Sequence, residues 1–220
     1  MIDFAKARRA MVDCQLRPSD VTDREVLGAM LAIPRERFVP DELAGVAYLD
    51  RDVPVDAKRA LLKPMVLARM IQALEIKTSD RVLDVACGTG YSSAVLARLS
   101  SAVTALDDDA ERARRCGEIL RQLAPLGAGN VTSVCGPLAA GWPGGAPYDV
   151  ILVEGACETE PHGLIGQLNE GGRLVVVMGT GPDGKATLFR KDHGEIGRRA
   201  LFDAAAPALP AFAKAPAFVF

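Results

Sequence analysis

A chain of 220 residues with 49% hydrophobic content can bury a core of its own without disulfide or metal staples. Its 26 basic and 28 acidic residues leave a net charge of −2, and no basic stripe stands out, so composition gives no electrostatic case for nucleic acid. No apolar run approaches a membrane span, the opening Met1-Ile2-Asp3-Phe4-Ala5-Lys6 lacks a signal peptide's apolar core, and Cys14, Cys87, Cys116, Cys135 and Cys157 contain no C-x-x-C pair; reduced thiols in a cytoplasmic protein are expected.

The first element is a helix over residues 4–16, with Phe4, Met11 and Val12 at helical spacing, interrupted by Arg17-Pro18-Ser19. Thr22 and Glu25 form a capping-box pattern for a second helix whose apolar face is Val26, Leu27, Met30 and Leu31, and Pro34 stops it. Residues 41–63 are the least regular stretch. Pro64 then suits the first turn of a helix with the stripe Leu67, Met70, Ile71 and Leu74.

Residues 81–91 read Arg-Val-Leu-Asp-Val-Ala-Cys-Gly-Thr-Gly-Tyr, and the rest of the chain is organised around them. Val82, Leu83 and Val85 make a buried parallel strand, Gly88 and Gly90 a turn that brings a ligand close to the main chain, and a helix runs over 91–99. The free N–H groups at such a turn favour a carboxylate or phosphate. A dinucleotide fingerprint needs three glycines, but the register from Ala86 gives Ala86-x-Gly88-x-x-Tyr91 with only one. Asp84 would face a pyrophosphate badly and suits a cationic end, such as the ammonium of S-adenosylmethionine. A second strand over 103–106 ends at Asp107, where an acid can bind two ribose hydroxyls; the bland alternative makes Asp107 and Asp108 a strand-end turn and Asp109 a helix cap.

A helix over 110–123, a strand over 130–134 and a fourth strand over 149–153 come next. The last ends at Glu154, which points toward a ligand cleft in a doubly wound sheet or else sits in solvent or beside an arginine. A helix over 161–168, a strand over 172–178 and a hairpin of 186–190 with 199–206 around residues 193–197 complete seven strands. His162 and His193 are not metal-spaced with each other or with the cysteines; surface positions and no metal are expected. The tail, 207–220, would pack on the N-terminal cap, on a second subunit of a homodimer, or lie loose.

With the glycine loop in place, the chain resembles class I S-adenosylmethionine-dependent methyltransferases, and most of all the protein-L-isoaspartate O-methyltransferase family. The matching segments are Ile33-Pro34-Arg35-Glu36-Arg37-Phe38-Val39-Pro40, Ala47-Tyr48-Leu49-Asp50, Gly141-Trp142-Pro143, Ala146-Pro147-Tyr148-Asp149 and residues 167–175, in the family's order. The resemblance implies an α/β fold: a doubly wound, mostly parallel seven-stranded Rossmann-like sheet with an N-terminal helical cap. It implies one domain, with cap and active-site cover at 1–63, cofactor-binding core at 64–206 and tail at 207–220.

The resemblance also implies a site. Asp84 and the loop of Ala86, Cys87, Gly88 and Gly90, with Tyr91, would hold the amino-acid end of S-adenosyl-L-methionine, whose product is S-adenosyl-L-homocysteine. Asp107 would hold the ribose, and Asp108, Gly136 and Leu138 would surround the adenine. Two departures stand out: Leu62-Lys63-Pro64 where the family has Ser-Gln-Pro or Ser-Ala-Pro, and Gly136-Pro137-Leu138 where it has Gly-Asp-Gly. Glu154 and Lys63 are the candidate catalytic residues. The implied activity is methyl transfer to an isoaspartyl carboxylate in damaged proteins. The alternatives are a small-molecule acceptor, or binding of the cofactor without catalysis. Asp107→Ala is expected to weaken cofactor binding and leave the fold intact.

Overall fold

The structure is a computed structural model, and it describes residues 2–214. Helix α1 (Phe4–Met11) runs on through a π-helical turn, Val12–Leu16, and a 3-10 turn, Arg17–Ser19, so the helix extends as its spacing predicts. Helix α2 (Arg24–Ala32) is capped one residue later than the Thr22–Glu25 pattern suggests. Asp23 accepts from the N–H groups of Glu25 (2.8 Å) and Val26 (3.1 Å). Thr22 is drawn off: its N–H and that of Asp23 both donate to Gln72 Oε1, at 2.7 and 2.9 Å.

That glutamine lies in α3 (Pro64–Ala73), so the cap is bolted to the core it covers. Between the two, β1 (Val53–Pro54) and β2 (Ala60–Leu61) pair antiparallel, giving the stretch without sequence periodicity a small hairpin.

The main sheet contains β3 (Arg81–Val85), β4 (Ala102–Asp107), β5 (Val131–Cys135), β6 (Tyr148–Cys157), β7 (Leu168–Met178), β8 (Lys185–Asp192) and β9 (Glu195–Asp203). Its order is β5-β4-β3-β6-β7-β8-β9, parallel as far as β7, with β8 and β9 antiparallel. The strand order reverses between β3 and β6, which is where a doubly wound sheet opens a crevice at its carboxyl ends. Neighbouring residues on one strand point to opposite faces. Val82, Val150 and Val175 accordingly join the core under the cap, α3 and α4 (Tyr91–Ala97), while Leu83, Ile151 and Leu174 join a second core on the other face. Helix α5 (Ala110–Gln122) buries Cys116, Ile119 and Leu120 as its spacing predicts, but α6 (His162–Ile165) is a single turn rather than a helix over 161–168.

Three boundaries differ from the sequence expectation for identifiable reasons. β8 and β9 meet in a two-residue turn at His193-Gly194, both with positive φ (52° and 79°), as tight hairpins require; residues 195–197 therefore belong to the strand. β6 continues beyond Glu154 because it bulges there: four positions from Leu152 to Ala156 run against two on β7, from Val175 to Val177. The described part of the tail lies along the end of β6 rather than on the cap. Ala156 N–H donates to Pro207 O (2.8 Å), Leu209 N–H donates to Ala156 O (2.9 Å), and Leu209 and Phe212 are buried. Gly155 makes this approach possible, since a Cβ there would fall 2.5 Å from Leu209 Cγ. The apolar ending at residues 217–220 lies outside the described residues. No helix among the described residues is long and apolar enough to cross a membrane.

Candidate functional site

The site starts at the carboxyl end of β3. Asp84 is fully buried, and its Oδ2 accepts from both Ser92 Oγ and Ser93 Oγ at 2.6 Å, which ties the strand to the first turn of α4. Oδ1 has no partner. The loop between them takes left-handed backbone at Ala86 (φ 62°), Gly88 (58°) and Gly90 (93°). Ala86 thus holds a conformation that suits glycine, at a cost of about 1–2 kcal/mol for a residue with a Cβ. Gly90 is fixed by its neighbours as well, because a Cβ would fall 2.6 Å from Cys116 Sγ.

The segment over 33–40 closes one side of this loop. Thr89 Oγ1 donates to Phe38 O (2.6 Å), Phe38 meets the Tyr91 ring edge-on at 5.5 Å, and the Arg35 guanidinium lies over that ring at 4.7 Å. Arg35 is fully buried, donating from Nε to Ala47 O and from Nη2 to Leu62 O, both at 2.7 Å. Burial lowers its pKa from the ordinary arginine value, against the pull of Tyr91 and Glu154.

Glu154, carried by the β6 bulge, is buried and faces Asp84. Burial first, and then the charge of the neighbouring Asp84, push Glu154 well above the ordinary glutamate range. Burial also raises Asp84 to about 6, although Ser92 and Ser93 stabilise its charged form. Arg35 Nη1, Asp84 Oδ1, Tyr91 Oη and Glu154 Oε1 are all buried without a hydrogen-bond partner. Unsatisfied groups gathered like this are rare in folded proteins and mark a place where a polar ligand or water belongs.

The carboxyl end of β4 is arranged differently. Asp107 is fully buried with both oxygens engaged. Oδ2 accepts from Arg59 Nε (3.1 Å) and Gly88 N–H (3.0 Å), and Oδ1 from Arg112 Nε (2.8 Å) and Asp109 N–H (3.3 Å). Asp108 Oδ1 accepts from Arg59 Nη2 and Arg112 Nη2, each at 2.7 Å, and Asp56 Oδ2 from Arg112 Nη1 at 2.9 Å. Burial alone would lower Arg112, but its hydrogen bonds to Asp107 and Asp56 hold it above the ordinary arginine value. Partial burial would raise Asp108, but the charge of Arg59 together with its contacts to Asp107 and Arg112 holds it below the ordinary carboxylate range. Asp109 caps α5 through Arg112 N–H (2.9 Å), as the capping alternative for that residue has it.

The other anticipated residues spread around these two clusters. Cys87 and Leu138 are buried in opposite cores, Gly136 is half-buried with its N–H on Asp107 O (3.0 Å), and Pro137 is exposed. Lys63 is half-buried ahead of α3, its N–H held by Asp52 Oδ1 at 2.8 Å, and Leu62 is fully buried. His162 and His193 are exposed.

Sequence reasoning did not single out Arg59, Arg112, Ser92 or Ser93. Arg112 carried a signal, since an arginine in the first turn of a helix opposes the dipole and implies a carboxylate partner. Arg59 carried none.

A model of the family described as Protein-L-isoaspartate(D-aspartate) O-methyltransferase (PCMT) matches residues 6–204. A protein-L-isoaspartate O-methyltransferase of Methylorubrum extorquens (strain PA1) is 46% identical over 189 residues, covering 86% of this chain and 80% of that protein. One from Koribacter versatilis (strain Ellin345) is 37% identical over 200 residues, covering 91% and 89%. Among solved structures, one described as a protein-L-isoaspartate O-methyltransferase superposes with a TM-score of 0.78 at 24% identity, over 92% of this chain and 65% of that one. Another from Plasmodium falciparum, described as such an enzyme in complex with S-adenosyl-L-homocysteine, reaches 0.80 at 19% identity, over 93% and 98%. At these identities the two structures establish the shared fold.

Proposed function

The chain belongs to the protein-L-isoaspartate(D-aspartate) O-methyltransferase family, and from that premise we propose that it transfers the methyl group of S-adenosyl-L-methionine to an isoaspartyl carboxylate in damaged proteins. The observation that carries this reading is the family match over residues 6–204, which takes in the cap and the sheet together. Repair of aspartyl and asparaginyl damage, with no metal required, is the corresponding role. Cytoplasmic location accords with five free cysteines.

The residues fit the cofactor unevenly. At its amino-acid end, Asp84 Oδ1 and Glu154 Oε1 are buried acceptors in want of a donor, such as an ammonium, and Arg35 Nη1 a buried donor in want of an acceptor. At its ribose end, Asp107 has the right chemistry, and it fits once Arg59 gives up its place. When bound, the cofactor supplies an electrophilic methyl on a sulfonium.

This chain's residues must do the rest by positioning. An isoaspartyl carboxyl with a pKa of about 4 is ionised at neutral pH and needs no general base. Holding it in line can supply about 7–11 kcal/mol of the barrier. Glu154 is therefore better cast as a buried acid held neutral beside Asp84 than as a base acting on the acceptor. Leu62, in the family's serine position, has no hydroxyl to donate and is turned inward, so Lys63 is the side chain at that edge suited to an anionic acceptor.

The test is transfer of labelled methyl to a synthetic isoaspartyl peptide beside its normal aspartyl twin. Selective labelling of the isoaspartyl peptide is expected. Cofactor binding without labelling of either peptide would overturn the acceptor and move the search to others.

A further inference from the structure

The ribose end of the site is closed by the protein's own arginine. An acid at the end of the second strand of a doubly wound nucleotide site binds ribose hydroxyls with its free carboxylate oxygens. In this chain Arg59 covers one oxygen of that acid, Asp107, and bridges on to Asp108 with the other end of its fork. The side chain is 4% exposed, so the contact is sealed rather than a surface pair.

The placement of Arg59 is built, not incidental. It stands at the tip of the β1–β2 hairpin, where Asp56 Oδ1 accepts from the N–H groups of Lys58 (2.7 Å) and Arg59 (2.9 Å), and Val55 N–H donates to Arg59 O (2.8 Å). The hairpin rests on the cofactor loop: a Cβ at Gly88 would fall 3.9 Å from Arg59 Cβ. Beside the hairpin tip is a cavity of about 480 Å³ whose lining includes Asp56, Arg59, Asp108 and Pro207. A displaced guanidinium has room there. Asp107 would keep Arg112 and the Gly88 N–H when Arg59 leaves, so the exchange strands no buried charge.

Resting on the methyltransferase reading above, we propose that Arg59 is a specificity-determining competitor for the cofactor's ribose: it occupies Asp107 in the free protein and must swing aside when an adenosine ligand with a ribose diol binds. The apparent affinity is then the intrinsic one multiplied by the fraction of molecules whose Asp107 is open. A ligand without the diol gains nothing from that opening.

The experiment is calorimetry with S-adenosyl-L-homocysteine and its 2′,3′-dideoxy analogue on the full chain, comparing wild type with Arg59→Gln and Arg59→Lys after their melting temperatures are measured. Arg59→Gln should tighten S-adenosyl-L-homocysteine about tenfold or more, as freeing a site closed nine-tenths of the time would, and should leave the dideoxy analogue unchanged. Arg59→Lys, which cannot fork onto two carboxylates, should give a smaller gain of the same sign and decides the matter if the glutamine variant does not fold. Equal gains for both ligands would mean general loosening of the hairpin and overturn the proposal, as would unchanged or weakened binding. No binding to wild type or variants would overturn the proposal together with the cofactor reading. A diol-dependent gain without isoaspartyl methylation would leave Arg59 standing and remove only the acceptor.

Discussion

Two neighbouring strand ends of the same sheet treat their aspartates in opposite ways. At the end of β3, Asp84 keeps one oxygen without a hydrogen-bond donor and faces a second carboxyl, Glu154, which the charge of Arg35 reaches without a hydrogen bond to Asp84. At the end of β4, Asp107 is surrounded by donors and two arginines, and its charge is satisfied within the protein. A bare buried acid costs stability and is left for a ligand to satisfy; a fully paired one is part of the frame. One strand end is left with unpartnered acceptors, and the other is paired within the protein.

Neutralising each aspartate should break this contrast most visibly. Asp84→Asn should weaken S-adenosyl-L-homocysteine by about 100-fold or more, since losing one side of a buried charge pair costs about 3–5 kcal/mol. The same change should raise or leave unaltered the urea midpoint of the free protein, because it removes a buried acid that resists ionising. Asp107→Ala should do the reverse to the frame, lowering stability by about 1.5–3 kcal/mol, because Arg59 and Arg112 lose their shared buried carboxylate and keep only Asp108 and Asp56. The sequence expectation of an intact fold leaves Arg59 and Arg112 out of view, and the urea midpoint of this variant tests it. Equal midpoints for the two variants would dissolve the contrast.

The smallest effect lies between the two ends. Ala86→Gly relieves the left-handed alanine and, after the extra entropy of glycine in the unfolded chain, should stabilise by about 0.5–1 kcal/mol in a urea titration. A loss of stability would mean that the Ala86 methyl packs better than its backbone angle costs.

Periodicity made most of the fold legible in the sequence. β-branched runs, the glycine loop and the spacing of the acids mark the strands and put Asp84, Asp107 and Glu154 near strand ends, while the doubly wound sheet is implied by the family resemblance and its strand order comes from the structure. The hairpin carrying Arg59 was illegible because two-residue strands have no period to read, and its partners lie about 50 positions away along the chain. The bulge that aims Glu154 depends on register with β7, a property of two strands that neither shows alone. The seat of Leu209 against Gly155 was hidden for the same reason: the tail's composition left the cap, a second subunit or looseness open, and a glycine 54 positions earlier supplies its berth.

On the proposed function the Asp84–Glu154 pair receives the cofactor's ammonium, and protons report on it. Asp84 is raised from 3.8 to about 6, so its neutral form adds stability below pH 3.8 that is lost as pH rises through about 6, with Glu154 shifted the same way. A bound cation favours the ionised form and must expel what proton remains. Calorimetric titration of S-adenosyl-L-homocysteine at pH 5.5, in buffers of different ionisation enthalpy, should therefore show release of about one proton per ligand, and weaker binding than at pH 7. Binding with no proton release, or with uptake, would contradict the account.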